Sequence, residues 1–214
     1  MFGFTEKEKK ILKKLSTPAK IQDFINTLPN NFEEKGETCM SPRQVLRENK
    51  GHCIEGAMLA AAALWYHGHP PLVMHFLALP EDEDHVITVF KENGHWGAVS
   101  KSNHATMRYR DPVYKNPREL AMSYFNEYYM YEDGRKTMRG YTPPINMKKF
   151  GSAWLTAEKN LWKINDALFD SRHLSVSPRK NLKKLRPVDS IEIKTSRITT
   201  WKKPPAGRQG GRRA

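Results

Sequence analysis

The chain has 214 residues, with 36 Lys and Arg against 23 Asp and Glu, a formal net charge of +13. This length suits one domain of ordinary size, and five Trp, eight Tyr and nine Phe argue against a disordered chain. Two cysteines are too few for a secreted disulfide scaffold, no apolar stretch is long enough to span a membrane, and the first residues form no signal core. We therefore expect a cytoplasmic protein with no membrane contact.

Four helices are predicted in the first third of the chain. Thr and Ser residues followed by proline mark two of the starts, because these side chains cap a helix and proline suits its first turn. Glycine or paired prolines mark the ends of the last two helices. The predicted helices cover residues 5–15, 18–28, 42–48 and 53–66.

Three antiparallel strands are predicted next. Residues 72–79 and 85–90 are rich in apolar and β-forming side chains, and 95–100 is the partner strand after the hairpin signal Asn93-Gly94. Beyond residue 103 the pattern weakens, although a helix after Pro117 and a late strand at 191–193 are predicted. We predict a single domain over 1–177 and a basic, largely flexible tail over 178–214.

Cys53 lies where a glycine-marked turn enters an alanine-rich helix. The first turn of a helix has unpaired N–H groups and the positive end of the dipole, which favour the thiolate form of a cysteine. A thiolate nucleophile needs a base, and His85 begins the second predicted strand. The alternative is that Cys53 is a small buried residue at a helix start.

At these residues the chain resembles the transglutaminase-like superfamily of papain-fold cysteine enzymes. The matching blocks are Gly51-His52-Cys53 with its alanine-rich helix, the strand from His85, and the strand containing Trp96, in that order within residues 41–103. The resemblance implies an α+β fold in which the cysteine-bearing helix packs on a small antiparallel sheet. It also implies a hydrolase or acyltransferase that cleaves an amide or peptide bond through a Cys53 thioester, with His85 as base.

The third catalytic position departs from the family pattern. Where the family has an aspartate after the tryptophan strand, this chain has Ser100. Asn103 is the first choice for the group that orients His85, because it would give a Cys-His-Asn arrangement; Asp111 is the second, and Ser100 the third. For the oxyanion hole we predict the Cys53 backbone N–H and an upstream amide, either Gln44 or Asn49.

Two other interpretations remain. Six histidines between His67 and His104 suggest a metal, but their spacing lacks a typical ligand pair, so we expect no metal or cofactor. A catalytically inactive module of the same fold could use its basic tail on an acidic partner or nucleic acid. For the enzyme, the predicted substrate is a peptide or protein amide.

Overall fold

The structure is a computed structural model that describes residues 2–203. Its helices are α1 (Glu6–Lys14), α2 (Pro18–Thr27), α3 (Pro42–Glu48), α4 (Cys53–Tyr66), α5 (Pro117–Met122), α6 (Trp162–Phe169), α7 (Arg179–Leu182) and α8 (Ser190–Ser196). Its strands are β1 (Leu72–Leu77), β2 (His85–Glu92), β3 (His95–Val99), β4 (Arg110–Tyr114), β5 (Gly140–Tyr141), β6 (Ile145–Asn146) and β7 (Leu174–Ser175).

Side chains cap the first three helices, and two of these caps, before Pro18 and before Pro42, are the ones predicted from the sequence. Thr5, Thr17 and Ser41 each accept a hydrogen bond from a backbone N–H in the first turn of the helix that follows. Proline occupies the first position of α2 and α3, where its missing N–H has no cost. The four predicted N-terminal helices are therefore confirmed within one or two residues.

The sheet is antiparallel and its strand order is β4-β3-β2-β1-β5-β7, with β6 also pairing with β1. The three strands predicted from the sequence are its centre, β1 to β3. Asn93 and Gly94 both have positive φ, 47° and 85°, between the paired residues Glu92 and His95. A two-residue hairpin turn of this kind matches the twist of the flanking strands, which confirms the Asn-Gly signal.

Helix α4 lies at the centre of the core and packs against β2 on one side and against α2 and α3 on others. Each residue from Ile54 to Leu64 is buried, so this helix is enclosed around its whole circumference, and Glu55 is the one charged side chain among these residues. The predicted α+β fold, with the Cys53-bearing helix packed on an antiparallel sheet, is confirmed. No helix in residues 2–203 is long and apolar enough to cross a bilayer.

The described part of the C-terminal segment contains two helices, α7 and α8, and contacts the rest of the chain. Residues 190–196, part of which we expected to be a strand, form α8, because Asp189 and Glu192 make a capping box at its start. Tyr129 donates a hydrogen bond to Glu192 O at 2.7 Å, and Trp201 pairs with Asn103. The flexibility expected for 178–214 stays a prediction, and residues 204–214 lie outside the described residues.

Gly56, on α4, is required by a close approach of the chain after β3. A Cβ atom there would overlap Lys101 Cβ and lie 2.9 Å from Lys101 Cγ. Lys101 cannot easily move, since its side chain is buried and its Nζ donates to Leu28 O at 2.5 Å.

We predict that Gly56→Ala lowers the free energy of unfolding. Overpacking costs about 1–3 kcal/mol, which outweighs the gain of about 1 kcal/mol in helix propensity. Urea denaturation measures the difference. Gly51→Ala is the matched control, because its Cβ would meet only ordinary contacts at 3.6 Å; equal stability of the two variants would contradict the prediction.

Candidate active site

Cys53 lies in a cavity of about 420 Å³ at the N-terminal end of α4. The lining residues come from the segment before α3, the start of α4, the β1–β2 turn, the loop after β3 and the segment that follows α5. Those with polar or titratable side chains include Asn30, Asn31, Glu33, His52, Cys53, Asp82, Glu83, Asp84, His85, Lys101, Asn103, His104, Glu127, Tyr128 and Lys203. The cavity therefore brings together the predicted nucleophile and the predicted base.

Ser100 is the hydrogen-bond partner of the His85 ring. His85 Nε2 lies 2.9 Å from Ser100 Oγ, and Ser100 Oγ donates its single proton to Met107 O at 2.6 Å. The hydroxyl must then accept from His85, so Nε2 carries a proton and the other ring nitrogen, Nδ1, is left for proton transfer. Ser100, the third choice from the sequence, is thus the residue that contacts the predicted base His85.

Asn103 and Asp111, the first and second choices for the group that orients His85, do not pair with its ring. Asn103 lines the cavity, but its side-chain amide donates to Trp201 O at 3.0 Å and accepts from Trp201 N at 2.8 Å. Asp111 is exposed on β4 and does not line the cavity. The sequence could not show the Asn103 pairing, because its partner lies 98 residues further along the chain.

The two amides predicted for the oxyanion hole also lie elsewhere. Gln44 is part of the α3 cap, where its side chain accepts from Ser41 N at 3.0 Å and donates to Glu158 O at 3.3 Å. Asn49 is exposed and ends α3 in the left-handed conformation, with φ 51°. Neither lines the cavity. The Cys53 backbone N–H, as the first in α4, has no acceptor within the helix, and its role in an oxyanion hole stays a prediction.

Sequence reasoning missed His52, which directly precedes the predicted nucleophile Cys53. His52 Nδ1 lies 3.9 Å from Cys53 Sγ, and the ring is partly buried. Burial would raise the pKa of the Cys53 thiol, but hydrogen bonds and positive charge from His52 and His85 outweigh burial and lower the pKa to about 5. The signal was present in the sequence as a second histidine next to the cysteine.

Sequence reasoning also missed Glu55, two residues after the nucleophile. Its carboxylate is fully buried, and it accepts from His52 N at 3.0 Å and Met40 N at 2.9 Å. A carboxylate at this position of a helix satisfies N–H groups at the helix start, so a capping role was readable from the spacing. The spacing did not show that Glu55 also contacts the His52 ring, with 3.4 Å between His52 Nε2 and Glu55 Oε1.

The histidine-rich region shows no metal centre in the part of the chain that the structure describes, since no three His, Cys, Asp or Glu side chains there are arranged to hold an ion. His75 is fully buried, with Nδ1 2.8 Å from His173 Nε2 and Nε2 3.3 Å from Asp84 Oδ2. Burial lowers the pKa of His75 to about 3. His75 is the buried member of this cluster, because Asp84 and His173 are both partly exposed.

Comparison of the chain with protein-family models and with curated proteins finds no match. The resemblance to the transglutaminase-like superfamily therefore remains a prediction from the motifs. The structure adds the arrangement of side chains around Cys53.

We predict that iodoacetamide alkylates Cys53 almost as fast at pH 6 as at pH 8. With a pKa of about 5, the thiol is mostly ionised at both pH values, and the rate should fall about tenfold per pH unit well below pH 5. Peptide mapping of the alkylated chain measures the rate. Cys39 is an internal control, because burial raises its pKa to about 12; a tenfold loss at Cys53 between pH 8 and pH 7 would contradict the prediction.

Proposed function

We propose that the chain is a transglutaminase-like cysteine enzyme, of protease or amidase type, that acts on an amide or peptide bond through a Cys53 thioester. The observation that carries the proposal is the position of Cys53 at the start of α4, 3.9 Å from one histidine and in one cavity with a second whose Nε2 is held by Ser100. Both cysteines are free, and the proposed reaction requires a free Cys53 thiol. A reducing compartment such as the cytoplasm keeps thiols in this form.

The reaction divides into two half-reactions. In the first, the Cys53 thiolate attacks the carbonyl carbon, the C–N bond breaks, and protonated His85 gives its Nδ1 proton to the leaving amine. In the second, His85 Nδ1 takes a proton from water, the oxygen attacks the thioester, and the C–S bond breaks. The cycle ends with the thiolate and protonated His85 restored, and an amine in place of water gives acyl transfer instead.

The negative oxygen of each tetrahedral intermediate needs hydrogen-bond donors. The Cys53 N–H is one, as the first unpaired N–H of α4. For the second we propose the Asn30 side chain, since Asn30 lines the cavity and its backbone pairs with Gly51, two residues before the nucleophile. Asn31 is unsuited, because its amide donates to Thr38 Oγ1 and to the Glu55 carboxylate.

The proposal predicts that p-nitrophenyl acetate acetylates Cys53 and that the thioester then turns over. Intact mass spectrometry detects the acyl-enzyme, release of nitrophenolate gives the rate, and mass spectrometry of an incubated peptide mixture shows which amide bonds are cleaved. Hydroxylamine distinguishes acyl transfer from hydrolysis, because it traps the acyl group as a hydroxamate. Cys53→Ala is the control for background reaction; an equal rate with this variant would contradict the proposal.

We also predict that Ser100→Ala slows turnover of the acetyl-enzyme by about tenfold, because His85 loses the acceptor that holds its Nε2 proton and ring orientation. Stopped-flow measurement separates this step from acylation. Asn103→Ala should have the smaller effect, since its amide holds Trp201 instead. The reverse order would restore Asn103 as the orienting group.

A second candidate function, a non-enzymatic module that binds an acidic partner, is supported by a separate cavity of about 710 Å³. Its lining includes one acidic residue, Asp133, against the basic residues Arg135, Lys136, Arg139, Arg179 and Lys183. Burial and the charge of Arg135 lower the pKa of Arg139, as expected where positive charges crowd together. Two of these cations, Arg179 and Lys183, come from the segment for which the sequence suggested an acidic partner.

For this second candidate we predict that polyglutamate or a DNA oligonucleotide binds with an affinity that falls steeply as salt increases. Replacement of Arg139 and Arg179 by alanine should weaken binding at least tenfold, while Cys53→Ala should leave it unchanged. Isothermal titration calorimetry at two salt concentrations measures this. Binding that does not respond to salt or to the double substitution would exclude this cavity as the site.

A further inference from the structure

Among residues 2–203, no carboxylate pairs with the ring of His85. Its ring contacts a serine hydroxyl, and Asp84, its neighbour in sequence, is directed to other groups: it accepts from Ala78 N at 2.7 Å and contacts His75. A hydroxyl is a neutral partner and stabilises a protonated imidazole less than a carboxylate does. The charge that the family's aspartate would supply is therefore missing from this position.

The other histidine of the site, His52, does lie beside carboxylates. His52 Nε2 is 3.4 Å from Glu55 Oε1, 3.5 Å from Glu33 Oε1 and 3.0 Å from Thr38 O. A carbonyl oxygen only accepts, so Nε2 carries a proton. On its other side, Nδ1 faces the sulfur of Cys53. A ring placed between two carboxylates and a thiol is stabilised in its doubly protonated, positive form.

The negative charge of Glu55 is itself held firmly. Its buried carboxylate accepts hydrogen bonds from the Thr38 hydroxyl at 2.6 Å, the Asn31 amide at 3.1 Å and two backbone N–H groups. Burial would raise its pKa, but these donors and His52 outweigh burial and lower the pKa of Glu55 to about 2. Hydrogen bonds and negative charge from Cys53 and from Glu55 raise the pKa of His52 to about 11, against the effect of burial. The pair is thus charged across the neutral range.

We propose that Glu55 and His52 form a fixed ion pair that keeps Cys53 ionised, while His85 and Ser100 serve only to move the proton. The proposal rests on the function proposed above and deepens it. In this division His52 is a catalytic residue that contacts the sulfur and keeps its proton, and Glu55 is a positioning residue that acts through His52. The Glu55–His52 pair takes over the charge role of the aspartate that Ser100 replaces.

The division of roles suits the two half-reactions. His85 must be protonated when the amine leaves and neutral when water attacks, so its protonation has to change within each cycle. A permanently charged partner on His85 would favour one of these states. With the thiolate held by His52, His85 is free to lose its proton to the amine and regain it from water.

The test compares His52→Gln with His52→Lys and with His85→Gln. The ionisation of Cys53 is measured by thiolate absorbance at about 240 nm against pH, and by the pH dependence of iodoacetamide labelling, in the full chain. We expect His52→Gln to raise the thiol pKa by at least two units and to slow labelling at pH 6 at least tenfold. His52→Lys keeps a positive charge and should recover part of the loss.

His85→Gln should show the opposite pattern. We expect it to shift the thiol pKa by less than His52→Gln does, while turnover of the acetyl-enzyme formed from p-nitrophenyl acetate falls at least a hundredfold. Glu55→Gln extends the test, since it should raise the thiol pKa only where His52 is present. Circular dichroism shows whether each variant folds. If Glu55→Gln does not fold, Glu33→Gln takes its place; it removes the slightly more distant carboxylate beside His52 and should raise the thiol pKa by less.

The outcomes separate this proposal from the function on which it rests. If His52→Gln leaves the thiol pKa unchanged while wild-type Cys53 is acidic and His85→Gln blocks turnover, the ion-pair role is wrong and the proposed enzyme stands. If His85→Gln raises the thiol pKa more than His52→Gln does, the roles are reversed. If wild-type Cys53 titrates as an ordinary thiol, both proposals fail.

Discussion

The buried carboxylate of Glu55 is the constraint on which the site depends. It lies in the first turn of α4 and gathers hydrogen-bond donors from three separate segments, at Asn31, at Thr38 and Met40, and at His52. An unpaired charge in this position would cost several kcal/mol, so the chain before α3 must wrap over the helix start. This requirement fixes the backbone on both sides of Cys53 and the plane of the His52 ring.

A second network fixes the opposite wall of the site. The side-chain amide of Gln22, on α2, accepts from Ser100 N and donates to Ser100 O, both at 2.9 Å, as a neighbouring strand would. Lys101 then crosses Gly56 and donates to Leu28 O at the end of α2. The end of β3 is thereby tied to α2 and α4 together. Ser100 cannot rotate freely, and His85 is held through it.

The central fold was predictable because its signals are local. The predicted caps before Pro18 and Pro42 and the Asn93-Gly94 turn act within a few residues, and the structure confirms them. The short strands β5 to β7 were not predictable, because each has two residues and forms only through pairing with distant partners. The expected strand at 191–193 failed for a related reason: a capping box outweighed the β-forming isoleucines.

The site was also predictable only in part, because some of its side chains depend on partners that are distant in the sequence. Cys53 and His85 could be found because a helix start and a strand start place them, whereas the group behind His85 depends on which polar side chains are already occupied. Asn103 has the better chemistry for that role, but Trp201 takes both ends of its amide. Ser100 then contacts the base without supplying charge. In the proposed mechanism, the negative charge is that of Glu55, on the other side of the Cys53 sulfur. There the hydrogen bonds that cap α4 also hold the Glu55 carboxylate against His52. In the proposed mechanism, fold stability and the ionisation of the Cys53 thiol thus both depend on the buried Glu55 carboxylate.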